Sequence, residues 1–184
     1  MTYSFPHTIE NPSGERITFQ RIETLSEGDR LMVESFCKPG SGPIMHTHLK
    51  QDEGLTVVSG KMGYQVLGPA PRYALPGESV AFKRGVAHRF WAEGETPLQC
   101  TGWIAPVNTI VFFLSAVYAA QRKSGSEQPE RFDAAYLLTR YASEYDLVGI
   151  PLFVKKVILP LTYQVGKLLK KYKHFENAPA PLKD

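Results

Sequence analysis

The stretch HTHLKQDE, His46 to Glu53, sets two histidines one residue apart and places a glutamate five residues beyond the second. Positions separated by one residue in an extended strand point to the same side, so His46 and His48 can present both imidazoles to one point. Glu53 lies an odd number of positions from each. It cannot continue their face, so the intervening LKQD must bend and let Glu53 approach from the neighbouring strand. A fourth group, His88 in RGVAHRFWA, falls on a later strand that a closed barrel can fold across from the first pair. Three neutral imidazoles and one carboxylate form a ligand set of intermediate hardness, suited to one divalent transition metal: Fe, Mn, Ni, Zn, Co or Cu. The plainer reading makes His46 and His48 solvated loop residues and His88 a barrel histidine with an ordinary hydrogen-bond partner.

Outward from this stretch, residues 16–104 read as short runs rich in Val, Ile, Phe, Tyr and Thr, cut by Gly, Pro and Asp. Consecutive antiparallel strands look like this. RITFQRIET, RLMVESFC, GLTVVSG, KMGYQVLG, ESVAFK, AHRFWAE and LQCTGWIA are the expected strands, with Pro76 and Gly77 suited to a type II turn. Seven or eight strands without helical interruption imply a sandwich or barrel. After Pro106 apolar residues recur at three- and four-residue spacing, which predicts helices. One runs from Asn108, a possible N-cap, to Gly125; a second starts near Pro129 with Phe132, Ala135, Tyr136 and Thr139 on one stripe. A third begins near Pro151 and is expected to kink or restart at Pro160. Beyond Phe175 the chain reads as a loose tail. The apolar run from Val107 to Ala120 is shorter than the ~20 residues a membrane span requires, so it is expected to be a buried or dimer-facing helix.

The wider spacing reads Gly40, five residues, His46, one, His48, four, Glu53, six, Gly60, and later Gly77, five, Lys83, one, Gly85, two, His88. This pair of motifs resembles those of the cupin superfamily, strongly from Phe36 to Ala92 and weakly in the flanking strands. The resemblance implies a mainly β protein, a double-stranded β-helix or jelly-roll barrel, holding one divalent metal on His46, His48, Glu53 and His88. Lys83 stands where the family often has proline, and Ala92 where it often has asparagine; neither is a ligand position. We therefore expect a barrel domain over residues 1–105 and a helical C-terminal extension over 106–184, packing on the barrel or on a dimer partner. Four protein ligands on a metal that prefers five or six leave room for a guest. The expected function is a dioxygenase-like oxidoreductase acting on a small organic molecule, with Lewis-acid isomerisation or lyase chemistry open for other metals. Glu53 is the candidate catalytic residue, able to swing off the metal as a base. A non-catalytic small-molecule-binding or sensor cupin is the alternative. The family habit implies a homodimer.

Composition narrows the partners. A net charge of +3, with basic residues clustered only near the C-terminus, is too little for a nucleic-acid footprint. Cys37 and Cys100 are too few for a disulfide framework, and the N-terminus lacks the basic and apolar regions of a secretory signal, so a cytoplasmic location is expected. Phe90, Leu55 and Val57 should point inward, with Phe36, Met45, Met62, Tyr64 and Phe82 filling the barrel or touching a ligand. Lys38, Lys50, Lys83, Arg84 and Arg89 flank the motifs, as solvated charges or as a partner for an anionic substrate. His7 and His174 are expected at the surface. In the last helix Leu161, Val165, Leu168 and Tyr172 form an apolar stripe among lysines. A membrane surface is one possible cover for it, but docking on the barrel or a partner subunit is expected.

Overall fold

The computed structural model describes residues 3–183. Two antiparallel sheets face one another. The first carries, in spatial order, β1 (His7–Glu10), β2 (Glu15–Leu25), β3 (Gly28–Cys37), β10 (Leu98–Ala105), β5 (Asp52–Ser59) and β8 (Ser79–Phe82). The second carries β11 (Tyr145–Leu147), β4 (His46–His48), β9 (His88–Ala92), β6 (Met62–Val66) and β7 (Arg72–Ala74). This is the jelly roll that the paired motifs implied. Strand alternation builds its interior: Leu98, Cys100 and Ile104 of β10 face inward, as do His88, Phe90 and Ala92 of β9. Phe82, Leu55, Val57, Met62 and Leu98 form the barrel core, each large side chain contributing about 1.5–3 kcal/mol by burial. The turn before β8 forms as expected: Gly77 takes φ 89°, and the Glu78 amide donates to the Leu75 carbonyl at 2.9 Å.

The helices α1 (Ile110–Ser124) and α2 (Arg131–Arg140) cover one end of the barrel. Their Ile110, Phe113, Tyr136 and Leu137 share a core with Ile9, Phe19, Leu31 and Ile104 of the sheet. Gly125 closes α1 in a left-handed conformation, as its place after Arg122 and Lys123 predicts. Among the described residues no helix is long and apolar enough to cross a membrane.

Several expectations are corrected. Asn108 is not the N-cap of α1, because it adopts φ 46° and turns the chain; the cap position falls to Thr109. The second helix does start near Pro129, and Glu130 caps it, its carboxylate accepting from the Phe132 and Asp133 amides. The last helix restarts beside Pro160, as expected, but the chain stays helical through the junction. A π turn over Val154–Ile158 runs directly into α3 (Leu159–Leu168), so the wide turn gives the proline ring the space that the Lys156 carbonyl would deny it in α geometry. The tail is pinned rather than loose: Tyr141 donates to the Pro179 carbonyl at 2.6 Å, and the Leu182 amide to Glu144 at 3.0 Å. His7 is half-buried against α1, 3.2 Å from the Ser115 hydroxyl and stacked on Phe19. The apolar stripe of α3 does not dock on the barrel: Leu161 is 59% and Leu168 82% exposed, because Tyr163 and Gly166 take the inner face.

Candidate metal centre

Three short strands deliver the four candidate donors. His46 and His48 stand on β4 and His88 on β9, with His46 directly opposite His88 in the register. Glu53 arrives from β5, in the other sheet, where it pairs across from Phe82. The bend in LKQD therefore carries the chain from one sheet to the other. One ligand atom from each of the four residues lies within 4.8 Å of every other. Glu53 Oε2 and His88 Nε2 are 3.0 Å apart, close to the ~3 Å between two donors in neighbouring positions ~2.1 Å from one ion.

The imidazoles are aimed by the same device twice. His46 Nδ1 lies 2.8 Å from the Ile44 carbonyl and His88 Nδ1 lies 2.9 Å from the Val86 carbonyl, each two residues upstream. A carbonyl can only accept, so both Nδ1 atoms carry the proton and both Nε2 lone pairs are left for the centre. Such an outer hydrogen bond fixes ring orientation in metal-ligating histidines. With Nδ1 already donating, His88 Nε2 approaches Glu53 either as an imidazolium N–H or across a shared cation. His48 Nδ1 is buried with no hydrogen-bond partner, as a ring set for a role other than hydrogen bonding within the fold would be. The donor set and its outer hydrogen bonds fit a divalent transition metal.

Electrostatics prepare the ligand forms such an ion needs. Burial, then the neighbouring His48 and His88, hold His46 down at about 3, and burial also lowers His48. Burial alone would raise Glu53, but the hydrogen bond with His88 and the surrounding imidazoles outweigh it and hold the carboxyl at about 2. Neutral His46 and His48 and an ionised Glu53 result. His46 is the partly exposed member of the group; His48, Glu53 and His88 are buried, so the centre opens beside His46.

The two motifs are fastened to each other. The turn from Lys83 to Val86 closes with Val86 donating to the Lys83 carbonyl at 3.0 Å, and Gly85, at φ 79°, turns its amide onto the His48 carbonyl at 2.8 Å. Asp52 beside Glu53 accepts from the Arg84 amide at 2.8 Å and from its guanidinium at 3.2 Å. Lys83 and Arg84 thus both face Asp52 and are engaged in the scaffold. Arg89 is likewise bound to Gln65 and lies over Trp91. Phe90, Leu55, Val57, Met62 and Phe82 are buried as expected, and Phe82 lies flat on the His88 ring with centroids 4.1 Å apart. Phe36 points the other way, alternating with buried Cys37, and packs under Arg16 outside the barrel.

Residues that sequence reasoning missed surround His48. The strand β11 comes from the helical half and pairs with β4, setting Tyr145 opposite His48 and Leu147 opposite His46. The Tyr145 hydroxyl receives a hydrogen bond from Gln51 at 3.1 Å and lies 3.2 Å from the Thr109 hydroxyl, which donates to buried Glu144 at 2.8 Å. The division at residues 105 and 106 is therefore crossed by the sheet that carries the site. Three residues, YDL, hold no periodic signal that could have announced this strand.

Comparison with known proteins agrees with this architecture. The family profile described as Cupin domain matches residues 32–104. KdgF from Halomonas sp. superposes with a TM-score of 0.50 at 18% identity, over 60% of this chain and 99% of that one. A protein with a double-stranded β-helix domain from Klebsiella pneumoniae gives a TM-score of 0.45 at 20% identity, over 58% and 84%. A sugar phosphate isomerase of the cupin superfamily from Silicibacter pomeroyi gives 0.42 at 18%, over 50% of this chain and 59% of that one. No curated protein matches the chain. Both motifs, the two-sheet topology and the profile match agree that residues 32–104 form a cupin domain.

Proposed function

We propose that the protein is a metal-dependent enzyme, a dioxygenase-like oxidoreductase that acts on a small organic molecule, with His46, His48, Glu53 and His88 holding one divalent transition metal. The convergence of these four donors from both sheets carries the reading. When bound, such an ion supplies Lewis acidity and, if redox-active, electron exchange with dioxygen. The chain supplies the rest. The Ile44 and Val86 carbonyls hold two imidazoles in the ligating tautomer. Phe82, flat against His88, keeps water from that side of the centre. We assign Glu53 as the base, leaving the ion to take a proton from a substrate that enters beside His46. Two free, buried cysteines, their thiols pushed up to about 12 by burial, suit the reducing cytoplasm.

Elemental analysis of protein prepared without chelators, repeated on His48→Ala, tests the metal. Near-stoichiometric metal in the native chain and loss of most of it in the variant are expected. Oxygen uptake by the iron-loaded protein with small chelating hydroxy and oxo acids tests the chemistry. Retained metal with no turnover would make the protein a binding or sensor cupin instead; equal metal in native chain and variant would remove the centre.

A further inference from the structure

We infer that the outer face of the last helix docks on an anionic lipid bilayer. From Leu152 to Leu168 the chain exposes Leu152, Phe153, Ile158, Leu161, Val165 and Leu168, with Phe153 65% and Leu168 82% exposed. The inner face is already occupied. Tyr163 packs edge-on to Tyr136 of α2, and Gly166 is buried so close to Tyr172 that a Cβ would lie 2.2 Å from its hydroxyl. Nothing in the barrel remains to cover the outer stripe, which runs about 25 Å along the surface.

Charge selects the occupant. Between Leu147 and Phe175 the sequence has six lysines and no acidic residue, so all 18 carboxylates lie elsewhere in the chain. Lys156, Lys167, Lys170 and Lys173 are exposed around the stripe. A second copy of this face would bring Lys156, Lys167, Lys170 and Lys173 against the same four lysines. An acidic protein would answer the charge, yet protein interfaces favour Trp, Tyr and Arg and deplete Lys, whereas this face is aliphatic but for Phe153 and its cations are all lysine. Aliphatic side chains inserted among acyl chains, with long lysine stems reaching up to phosphate, match the interfacial helix of a peripheral membrane protein. The helix joins directly to the site: Lys155 Nζ binds Asp146 of β11 at 2.6 Å, and β11 lies beside His46 and His48. Docking would therefore hold the metal-site sheet at the lipid surface, whether or not the centre is catalytic.

The full chain tests this by co-sedimentation with vesicles of phosphatidylcholine alone and of phosphatidylcholine mixed with phosphatidylglycerol. Binding only to the anionic vesicles, weakened by salt, is expected. Lys170→Gln with Lys173→Gln should lower the partition coefficient about 25-fold, about 5-fold per lysine. Leu161→Asp with Val165→Asp should abolish binding while leaving the circular dichroism melting curve unchanged; Leu168→Asp alone provides a milder variant should the pair misfold. No binding to anionic vesicles, equal binding by the aspartate variants, or self-association without lipid that those variants remove would overturn the inference.

Discussion

Asp52 holds Arg84 through both its backbone amide, at 2.8 Å, and its guanidinium, at 3.2 Å, so the residue beside Glu53 fixes the turn that leads to His88. The side chain is 18% exposed and the arginine 53%, so the pair itself is worth at most about 1 kcal/mol of stability. Its weight falls on the spacing between ligands. Asp52→Ala should therefore lower metal affinity about tenfold or more while barely moving the melting temperature. Competition with a chromogenic chelator measures the first and calorimetry the second; an affinity equal to that of the native chain would show that the turn holds without the clamp.

Gly54 follows Glu53 and lies under Trp103, where a Cβ would come within 2.4 Å of the indole nitrogen. Gly54→Ala should cost about 1–3 kcal/mol through displacement of the ring. Adding Trp103→Leu should recover part of that loss, since the obstruction is then gone. Denaturant midpoints of the two single variants and the double variant decide the matter, and purely additive losses would count against the steric account.

Glu15 is buried beneath Tyr118 and Asn11, whose side chains each donate to it at 3.0 Å. Burial raises its pKa above the ordinary 4.5, against the lowering effect of those two hydrogen bonds. A raised native value means that the folded chain holds the proton more tightly than the unfolded one. The resulting stability is complete below pH 4.5 and disappears as pH rises through the native value. Glu15→Gln removes this titration, so its stability relative to the native chain should be higher at pH 7 than at pH 4. A difference that stays constant across that range would contradict the assignment.

Tyr145 joins the helical half to the site. Its hydroxyl is the partner of Gln51 Nε2, and its ring stacks on Phe113 with centroids 3.9 Å apart. Tyr145→Phe should keep the stacking but leave the buried Gln51 amide unpaired, at a cost of about 1–3 kcal/mol. A chain ending at Ala105 would lose β11 and expose the sheet residues now covered by α1 and α2. It should show no cooperative melting transition, and a sharp one would mean that the barrel folds without its extension.

The legible and illegible parts of the sequence separate along physical lines. The parity of His46, His48 and Glu53 placed the carboxylate on a different strand, and β5 and β4 do lie in opposite sheets. Pro76 with Gly77, and Gly125 after two basic residues, announced their turn and cap because each obeys a local steric rule. Asp52 with Arg84 joins positions 32 residues apart, and no periodicity reports such a pair. Asn108 offered two local uses, cap or left-handed turn, and the requirements of the barrel-to-helix junction chose the second. The pattern Leu161, Val165, Leu168 revealed that one face is apolar, but spacing alone does not say what lies against a face.

The π turn over Val154–Ile158 sets the rotational phase of everything after it. The same residues wound as an ordinary α-helix would swing the downstream side chains by up to about 100° around the axis. Tyr163 and Gly166 would leave α2, and the aliphatic stripe would rotate toward it. A widened turn next to a proline thus decides which side of this helix the rest of the molecule keeps and which side it offers to the outside.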